Sequence, residues 1–568
     1  MSISRWLIEY GYVYILSVNL GLLLILTMAA LVSVTKEWTV KEWLALSSLF
    51  VLVVFLLNIQ PYFQAHVYND EFYYASIGQN IAQYGRTCPL VFFNSPNEVE
   101  QFDYFQPPYP QGWPYLIGVF NKMFFHTGVG TGSLPIWYRA ALLNKLLLAA
   151  SIVVLFVFLR CLYPLPSAWV VSMAMAFLPF LLHLAQGASA ELAALSALII
   201  FALACLSCSR SCNWLNCLWL ALSGAWLMQM RPEGTVALAL IALVYYCLTG
   251  CDGIKKLVGA WQKVAVAILI LFIFGWSALW AIFVHPPQLG HHFVALARPG
   301  LTIWQNRAFN LLNDGLYFIK NQGWPLTLTI LAFVALVGQW KFCKFEEATT
   351  NKVESAATLP EFQAKIVWGA ALWLFLMTLF FAWYPFGDYA CVYSLDSWRF
   401  AYVAVVPMAA LASCGFMWLW RKNLCWRWVA CLLAAASITP YFLKAVSFTN
   451  PTQTTYDMFL QNAIQTSVYN KVPLVLPDSH LFCAAVYRWG GQAYVVKGLA
   501  DYNSQELAKW RLSWPENCQL MVVCLYPDKD DNYNLELWEG WKINLLSQEP
   551  STGAGLFLLQ KDIYLENS

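Results

Sequence analysis

Charged side chains are scarce in this sequence. Aspartate, glutamate, lysine and arginine make up 11% of its 568 residues, whereas a soluble domain carries about 25%. Hydrophobic residues account for 60% of the chain and aromatic residues for 17%. The formal net charge of +2 gives no argument for a nucleic-acid partner. The composition therefore predicts an integral membrane protein whose surroundings are membrane lipids.

Several motifs of soluble enzymes are absent as well. The 16 cysteines show no Cys/His metal spacing, and those in apolar runs are interpreted as small hydrophobic residues. A disulfide among Cys483, Cys518 and Cys524 is compatible with the sequence but does not follow from it. No glycine-rich phosphate loop of the Rossmann or Walker kind occurs. The N-terminus lacks a basic region and a cleavage site, which predicts a retained first span.

Long apolar runs take up most of the chain. A helix needs about 20 mainly apolar residues to cross a bilayer, and about twelve runs approach that length. They lie near 11–34, 43–60, 139–160, 167–184, 190–208, 213–230, 235–250, 260–284, 324–341, 366–384, 399–420 and 426–444. The sequence thus predicts a helical, polytopic membrane domain over residues 1–447.

The distribution of lysine and arginine predicts the orientation of these spans. One set of short connections is dense in basic residues, such as Arg160, Arg210 and Lys263, and is therefore predicted to be cytoplasmic. The opposite face carries long loops at about 61–138, 285–323 and 385–398. We therefore expect the functional surface on the outer face, which in a bacterial inner membrane is the periplasmic side.

The composition changes at about residue 448, where charges become frequent and apolar runs shorten. Strand-length runs are Val472–Leu476, Tyr494–Val496, Leu520–Leu525, Ile543–Leu546 and Leu556–Leu559, with helical candidates around 455–469, 480–488 and 503–512. This alternation predicts a small extracytoplasmic α/β domain over residues 448–568, with a supporting or lid-like role.

The first outer loop contains two helical candidates. One follows the adjacent carboxylates Asp70 and Glu71 and ends at Gly85, a residue type typical of helix ends. The other is an aromatic stretch from Leu116 to Phe125, predicted to lie in the membrane interface. The two carboxylates either start their helix, where negative charge complements the helix dipole, or carry chemistry at the membrane surface.

An enzyme that handles a lipid-linked phosphosugar at this surface needs three kinds of group. It needs a carboxylate to accept a proton, cations to hold the departing phosphate, and an apolar groove for the lipid. Asp70 is the first candidate for the base and Glu71 the second. Candidate substrate-binding residues are Tyr74, Lys145, Glu191, Arg231, Glu233, His291, His292, Arg298 and Arg399. No metal ligand is predicted.

Each of these residues also has a structural interpretation. Arg231 and Arg399 are compatible with interface anchors that extend toward the headgroups, and Arg298 with a solvated face. Glu191 is compatible with a charge at a helix N-terminus. His291 and His292 are adjacent and therefore diverge on a helix or strand.

Together the motifs resemble a known superfamily. The order is Asp70-Glu71 with an aromatic helix, a Pro-Pro-Tyr-Pro-Gln-Gly-Trp-Pro segment at 107–114, Glu191 at a helix start, and Arg-Pro-Glu-Gly at 231–234. This order resembles the GT-C polytopic glycosyltransferases, in particular the branch of protein O-mannosyltransferases and the lipid A aminoarabinose transferase. The resemblance covers roughly residues 40–445.

The resemblance implies an inverting sugar transfer on the outer face of the membrane. The donor would be a sugar on a polyprenyl phosphate, and the acceptor a hydroxyl group of an envelope glycan, glycolipid or protein. Asp70 would be the general base. No cofactor is required by this scheme, and a divalent cation stays open because some relatives use one. Two other classes compete: a transporter or flippase of a lipid-linked glycan, and a non-catalytic membrane scaffold.

Overall fold

The computed structural model describes most of the apolar domain and the strands of the C-terminal segment. The described residues are 10–59, 70–85, 87, 111–125, 136–231, 233–244, 259–283, 326–347, 358–383, 399–446, 455–470, 472, 474–476, 493–495, 519–524, 541–548 and 555–561.

The apolar runs form helices at the predicted places. In chain order these are α1 (Tyr12–Thr35), α2 (Val40–Ile59), α3 (Asp70–Tyr84), α4 (Gly112–Phe124), α5 (Ile136–Leu162), α6 (Leu165–Ala176), α7 (Pro179–Leu184), α8 (Glu191–Arg210), α9 (Trp214–Met230), α10 (Glu233–Val244), α11 (Trp261–Phe283), α12 (Leu326–Glu347), α13 (Thr358–Trp383), α14 (Val405–Trp420) and α15 (Leu424–Val446). Among the described residues, five helices are long and apolar enough to cross a membrane, and six apolar helices are shorter. The prediction of a mostly helical membrane protein is confirmed.

The predicted span at 167–184 is wrong as a single helix. It is divided into α6 and α7 because Phe177 leaves the helical conformation, with φ −91° and ψ 6°. Pro179 follows two residues later, and a proline restricts the residue before it to extended conformations. The amides of Phe177 and Leu178 form short turns to Ala174 and Met175 instead, at 3.3 and 3.2 Å.

The predicted first span is part of the helical packing. On α1, the Thr27 hydroxyl accepts a hydrogen bond from the Trp219 indole of α9 at 3.0 Å. Tyr12 donates to the side-chain carbonyl of Gln229, and the Tyr115 hydroxyl of α4 donates to Ser17 at 2.7 Å. Polar groups buried among apolar helices need such partners, so these bonds fix α1 in register against α9 and α4.

The two helices of the first outer loop pack closely against each other. α4 begins at Gly112, earlier than predicted, and it buries Trp113 and Ile117 while Met123 and Phe124 are 65% and 64% exposed. The helices approach at two glycines. A Cβ at Gly118 would lie 2.7 Å from Ile81 Cγ2 and 2.9 Å from the carbonyl oxygen of Gly78. The absence of side chains at these two positions allows the contact.

We expect Gly118→Ala to separate α3 from α4. Its methyl group has no space, and overpacking of this kind costs about 1–3 kcal/mol. The measurement is the apparent melting temperature of the purified protein in detergent, which should fall. Gly21→Ala on α1 is the matched control, because a Cβ there meets nothing within 4 Å. Equal melting temperatures for the two variants would contradict the close packing.

The C-terminal segment contains α16 (Thr455–Asn470) and five strands, namely β1 (Leu474–Leu476), β2 (Ala493–Val495), β3 (Gln519–Cys524), β4 (Trp541–Gln548) and β5 (Gly555–Lys561). They form one sheet in the order β2-β1-β3-β5-β4. β1 is parallel to β2 and β3, and β5 is antiparallel to β3 and β4. The five predicted strands and the first helix are confirmed, whereas the helical candidates at 480–488 and 503–512 lie outside the described residues.

Candidate active site

Arg231, Glu233 and Gly234 of the Arg-Pro-Glu-Gly sequence lie where α9 ends and α10 begins. Arg231 is extended, with φ −153° and ψ 151°, as expected for a residue before a proline. Glu233 starts α10. Gly234 packs against α9 so closely that a Cβ there would lie 2.3 Å from the carbonyl oxygen of Leu227. The conformation of Arg231 and the residue type at Gly234 therefore have physical reasons, and Arg231 and Glu233 face one another at this connection.

Arg231 is the centre of a buried ion triad with Glu191 and Glu233. Its Nη1 donates to Glu191 Oε1 at 2.7 Å, and its Nε and Nη2 donate to the two carboxylate oxygens of Glu233 at 3.1 and 3.3 Å. The three residues are 4%, 1% and 8% exposed. With both carboxylates ionised the triad carries a net charge of −1. The interpretation of Arg231 as an anchor that extends toward the headgroups is therefore wrong.

The electrostatic environment keeps Arg231 charged despite its burial. Burial alone lowers the pKa of the guanidinium, but the carboxylates of Glu191 and Glu233 and the nearby phenol of Tyr74 raise it, and the net pKa lies well above its ordinary value. Arg231 is thus a fixed positive charge at the centre of the triad.

Two tyrosines lie beside the triad. Tyr74 belongs to α3, is 2% exposed, and is within electrostatic range of Arg231. Tyr402 belongs to a 3-10 helix at Arg399–Ala404 and interacts electrostatically with all three members of the triad. Its buried hydroxyl has no hydrogen-bond partner among the described residues. A buried polar atom without a partner in a native structure calls for an explanation, such as a ligand or water that satisfies it.

The loop before Glu191 is held by two side chains. The Trp113 indole of α4 donates to the Ala188 carbonyl at 2.7 Å. The Asn144 amide of α5 donates to the carbonyls of Gly187 and Ser189 at 2.7 and 2.9 Å. These bonds fix the start of α8, and Glu191 is both a charge at that helix N-terminus and a partner of Arg231.

Lys145 lies outside the triad and contacts the end of α2. Its Nζ donates to the carbonyl oxygen of Leu57 at 2.9 Å, in the last turn of α2. Carbonyls in the last turn of a helix lack partners within the helix, and a cation there is favourable. The lysine, which is 4% exposed, has thus found a polar partner below the outer end of α5.

The structure assembles four of the predicted residues around one centre: Tyr74, Glu191, Arg231 and Glu233. Tyr402 was not predicted, although its position three residues after Arg399 was a usable signal. Asp70 and Glu71 open α3 and Arg399 opens the 3-10 helix, but their side chains lie outside the described atoms. His291, His292 and Arg298 lie outside the described residues altogether.

The described carboxylates do not by themselves fit a divalent cation. Hard cations such as Mg²⁺ and Ca²⁺ take about six or more oxygen ligands, and Arg231 already occupies the position between Glu191 and Glu233. A metal ion at this surface would need donors outside the triad.

Comparison with known proteins identifies structural relatives only. No protein-family model and no curated protein matches the sequence. The oligosaccharyltransferase of Archaeoglobus fulgidus in the apo form matches with a TM-score of 0.50 and 14% identity, over 93% of this chain and 75% of that chain. The same enzyme in complex with Zn and sulfate matches with 0.50 and 15%, over 90% and 72%. ArnT from Cupriavidus metallidurans bound to undecaprenyl phosphate matches with 0.43 and 12%, over 93% and 99%.

At these identities a match shows the fold. The two matches at a TM-score of 0.50 extend over nine-tenths of the chain, from the membrane helices into the C-terminal segment. The chain therefore shares the polytopic membrane fold of this oligosaccharyltransferase, in agreement with the fold that the resemblance in its sequence implies.

Proposed function

We propose that this protein is an inverting glycosyltransferase. It moves a sugar from a polyprenyl-phosphate-linked donor to a hydroxyl group of an envelope glycan, glycolipid or protein on the outer face of the membrane. The observation that carries this proposal is the buried triad of Glu191, Arg231 and Glu233, which lies beside Tyr74 on the helix that Asp70 begins. The shared fold with an enzyme named for oligosaccharide transfer supports the reaction class.

The position of Asp70 suits the general base. It is the first residue of α3 and precedes Tyr74 by four residues, a spacing that places both positions on one helical face. Asp70 takes the proton of the acceptor hydroxyl, and the acceptor oxygen forms a bond to the anomeric carbon from the side opposite the phosphate. The bond from the anomeric carbon to the phosphate oxygen breaks, and its electron pair leaves with the polyprenyl phosphate. Glu71 is the second candidate for the base.

The remaining cations are proposed to hold the phosphate. Arg399 opens the 3-10 helix three residues before Tyr402, and residues i and i+3 eclipse in such a helix. That spacing puts position 399 on the same face of the 3-10 helix as Tyr402, which supports Arg399 as the first candidate for the phosphate. Lys145, Arg298, His291 and His292 are also proposed to bind substrate.

Arg231 is proposed to act as a positioning residue. All three nitrogen atoms of its guanidinium donate to carboxylates, so the charge available to a phosphate is largely neutralised. Its role is to hold Glu191 and Glu233 in place, and these two carboxylates are proposed to bind the hydroxyl groups of the sugar. This revises the expectation that Arg231 contacts the departing phosphate.

We expect Tyr402→Phe to reduce transfer without reducing stability. A hydrogen bond to a charged group such as a phosphate contributes about 1.5–3 kcal/mol, so its loss lowers the rate about 10- to 100-fold. Removal of an unpartnered buried hydroxyl is neutral or stabilising for the folded protein. Mass spectrometry of envelope glycolipids and glycoproteins, in a deletion strain that carries each variant, measures the transferred sugar.

The control is Tyr163→Phe, because the Tyr163 hydroxyl is also buried and also without a partner among the described residues. Tyr163 follows α5 at the opposite end of that helix from Arg139. Its variant should restore the sugar fully. A deletion strain that loses no sugar mass would reject the proposed function, whereas full activity of Tyr402→Phe would reject only the role of this hydroxyl.

A further inference from the structure

Three cysteines converge at the connection between α8 and α9. Cys208 is in the last turn of α8, Cys212 is in the connection, and Cys217 is in the first turn of α9. The Cys208 and Cys217 sulfur atoms are 3.9 Å apart, and those of Cys212 and Cys217 are 3.6 Å apart. All three sulfur atoms lie within 4.8 Å of one another. The spacing Cys-x3-Cys-x4-Cys is not a familiar metal motif, and only the fold brings these residues together.

These distances match the coordination of a thiophilic metal ion. Zinc binds thiolate sulfur at about 2.3 Å, and the edge of a ZnS₄ tetrahedron is therefore about 3.8 Å. The two measured separations lie on either side of that value. A set of three sulfur ligands without carboxylate selects a soft ion such as Zn²⁺ over Mg²⁺ or Ca²⁺.

The backbone around the cysteines is held by side-chain hydrogen bonds. Asn213 caps α9 by accepting from the Asn216 amide at 2.8 Å. The Asn216 side chain donates to the carbonyl of Ser211 at 2.7 Å. From α11, Lys263 donates to the carbonyl of Cys212 at 2.6 Å and places a positive charge near the sulfur atoms. The ligands are thus arranged before an ion binds.

We propose that Cys208, Cys212 and Cys217 bind one Zn²⁺ ion. Cys212 is exposed, which leaves a route to solvent and a fourth coordination position for water. The site lies at the end of the helices that carry Arg210 and is predicted to be cytoplasmic, where thiols stay reduced. The ion joins the inner ends of α8 and α9, whose outer ends carry Glu191 and Arg231.

The test uses the full-length protein purified in detergent, with Co²⁺ as a spectroscopic probe for the zinc site. Co²⁺ bound by thiolates gives an intense sulfur-to-metal charge-transfer absorption, and Zn²⁺ should abolish it by displacement. We expect saturation at one ion per chain. Cys212→Ser and Cys217→Ser should each weaken Co²⁺ binding at least tenfold. Cys205→Ser is the control, since Cys205 is a half-buried thiol on α8 outside the cluster, and it should bind normally.

A second measurement covers the case in which a serine variant folds poorly. Alkylation of the folded wild-type protein, followed by peptide mass spectrometry, should show that Zn²⁺ protects Cys208, Cys212 and Cys217 and leaves Cys425 reactive. The proposal is overturned if the wild-type protein takes up no Co²⁺, or if Zn²⁺ protects none of the three thiols. A Cys212–Cys217 disulfide in freshly isolated protein, with no metal retained, would overturn it in favour of a redox pair.

Discussion

Cells that carry Asp70→Asn in place of the wild-type protein should lose the transferred sugar from their envelope. The amide keeps the shape of the carboxylate but cannot accept the proton of the acceptor hydroxyl. General-base catalysis of this kind contributes about 10²- to 10⁴-fold to a rate. Mass spectrometry of glycolipids and glycoproteins should therefore show the same missing mass as the deletion strain. The same spectrum identifies the acceptor.

Two comparisons separate catalysis from folding in this experiment. The amount of Asp70→Asn protein in the membrane must equal that of the wild type. Glu37→Gln removes an exposed carboxylate from the connection between α1 and α2, and it should leave the sugar unchanged. Glu71→Gln should have a smaller effect than Asp70→Asn, because Glu71 is the second candidate.

The outcome also distinguishes the transferase from a transporter. A flippase moves its lipid-linked glycan without abstracting a proton from a hydroxyl, so its function does not require a base at position 70. If the deletion strain loses the sugar while Asp70→Asn retains it, Asp70 is not the base and the transporter becomes the better explanation.

Much of this fold follows from local sequence patterns. Apolar runs of about 20 residues predict the helices, because a lipid-exposed backbone must satisfy its hydrogen bonds internally. Short apolar runs bounded by polar segments predict the five strands. The break in the helix at Phe177 was missed because hydropathy contains no information about backbone geometry, although the proline at position 179 indicated it. The glycine contact between α3 and α4 was missed because it joins residues 40 positions apart.

Only part of the candidate site could be predicted, because its residues come from distant parts of the chain. The Arg-Pro-Glu-Gly motif indicated Arg231 and Glu233 as candidate site residues, and the position of Glu191 indicated a charge at a helix start. Their mutual contact depends on how α8, α9 and α10 pack, which no local pattern encodes. Tyr402 was missed because a tyrosine at the outer end of an apolar helix is ordinary. What distinguishes Tyr402 is its position beside the triad together with a buried hydroxyl that has no hydrogen-bond partner among the described residues.

Arg231→Met should destabilise the membrane domain more than Gly118→Ala does. It leaves Glu191 and Glu233 buried with no counter-charge from the triad, and breaking a buried ion pair costs about 3–5 kcal/mol. Glu191→Gln should cost less, because Arg231 keeps both of its bonds to Glu233. The apparent melting temperature in detergent, measured at one scan rate, gives the order of the variants.

Arg160→Met, in the last turn of α5, provides the matched control. Arg160 also pairs with a buried carboxylate, Glu42, at 2.7 Å, but its own side chain is 33% exposed. Glu42 additionally accepts hydrogen bonds from the amide and hydroxyl of Thr39, at 2.6 and 2.9 Å. The carboxylate therefore keeps polar partners when the arginine is lost, and the fall in melting temperature should be smaller than for Arg231→Met.

A triple substitution tests the physical cause of the predicted loss. Replacing a complete buried ion triad by hydrophobic residues of similar volume is often neutral or stabilising, because no charge or polar group is left without a partner. Glu191→Leu, Arg231→Met and Glu233→Leu together should therefore recover most of the melting temperature that Arg231→Met loses. Transfer should remain low in this variant, because the carboxylates proposed to bind the sugar are gone. If the triple variant is as unstable as Arg231→Met, the loss comes from packing of the arginine side chain, and the electrostatic account of the triad is wrong.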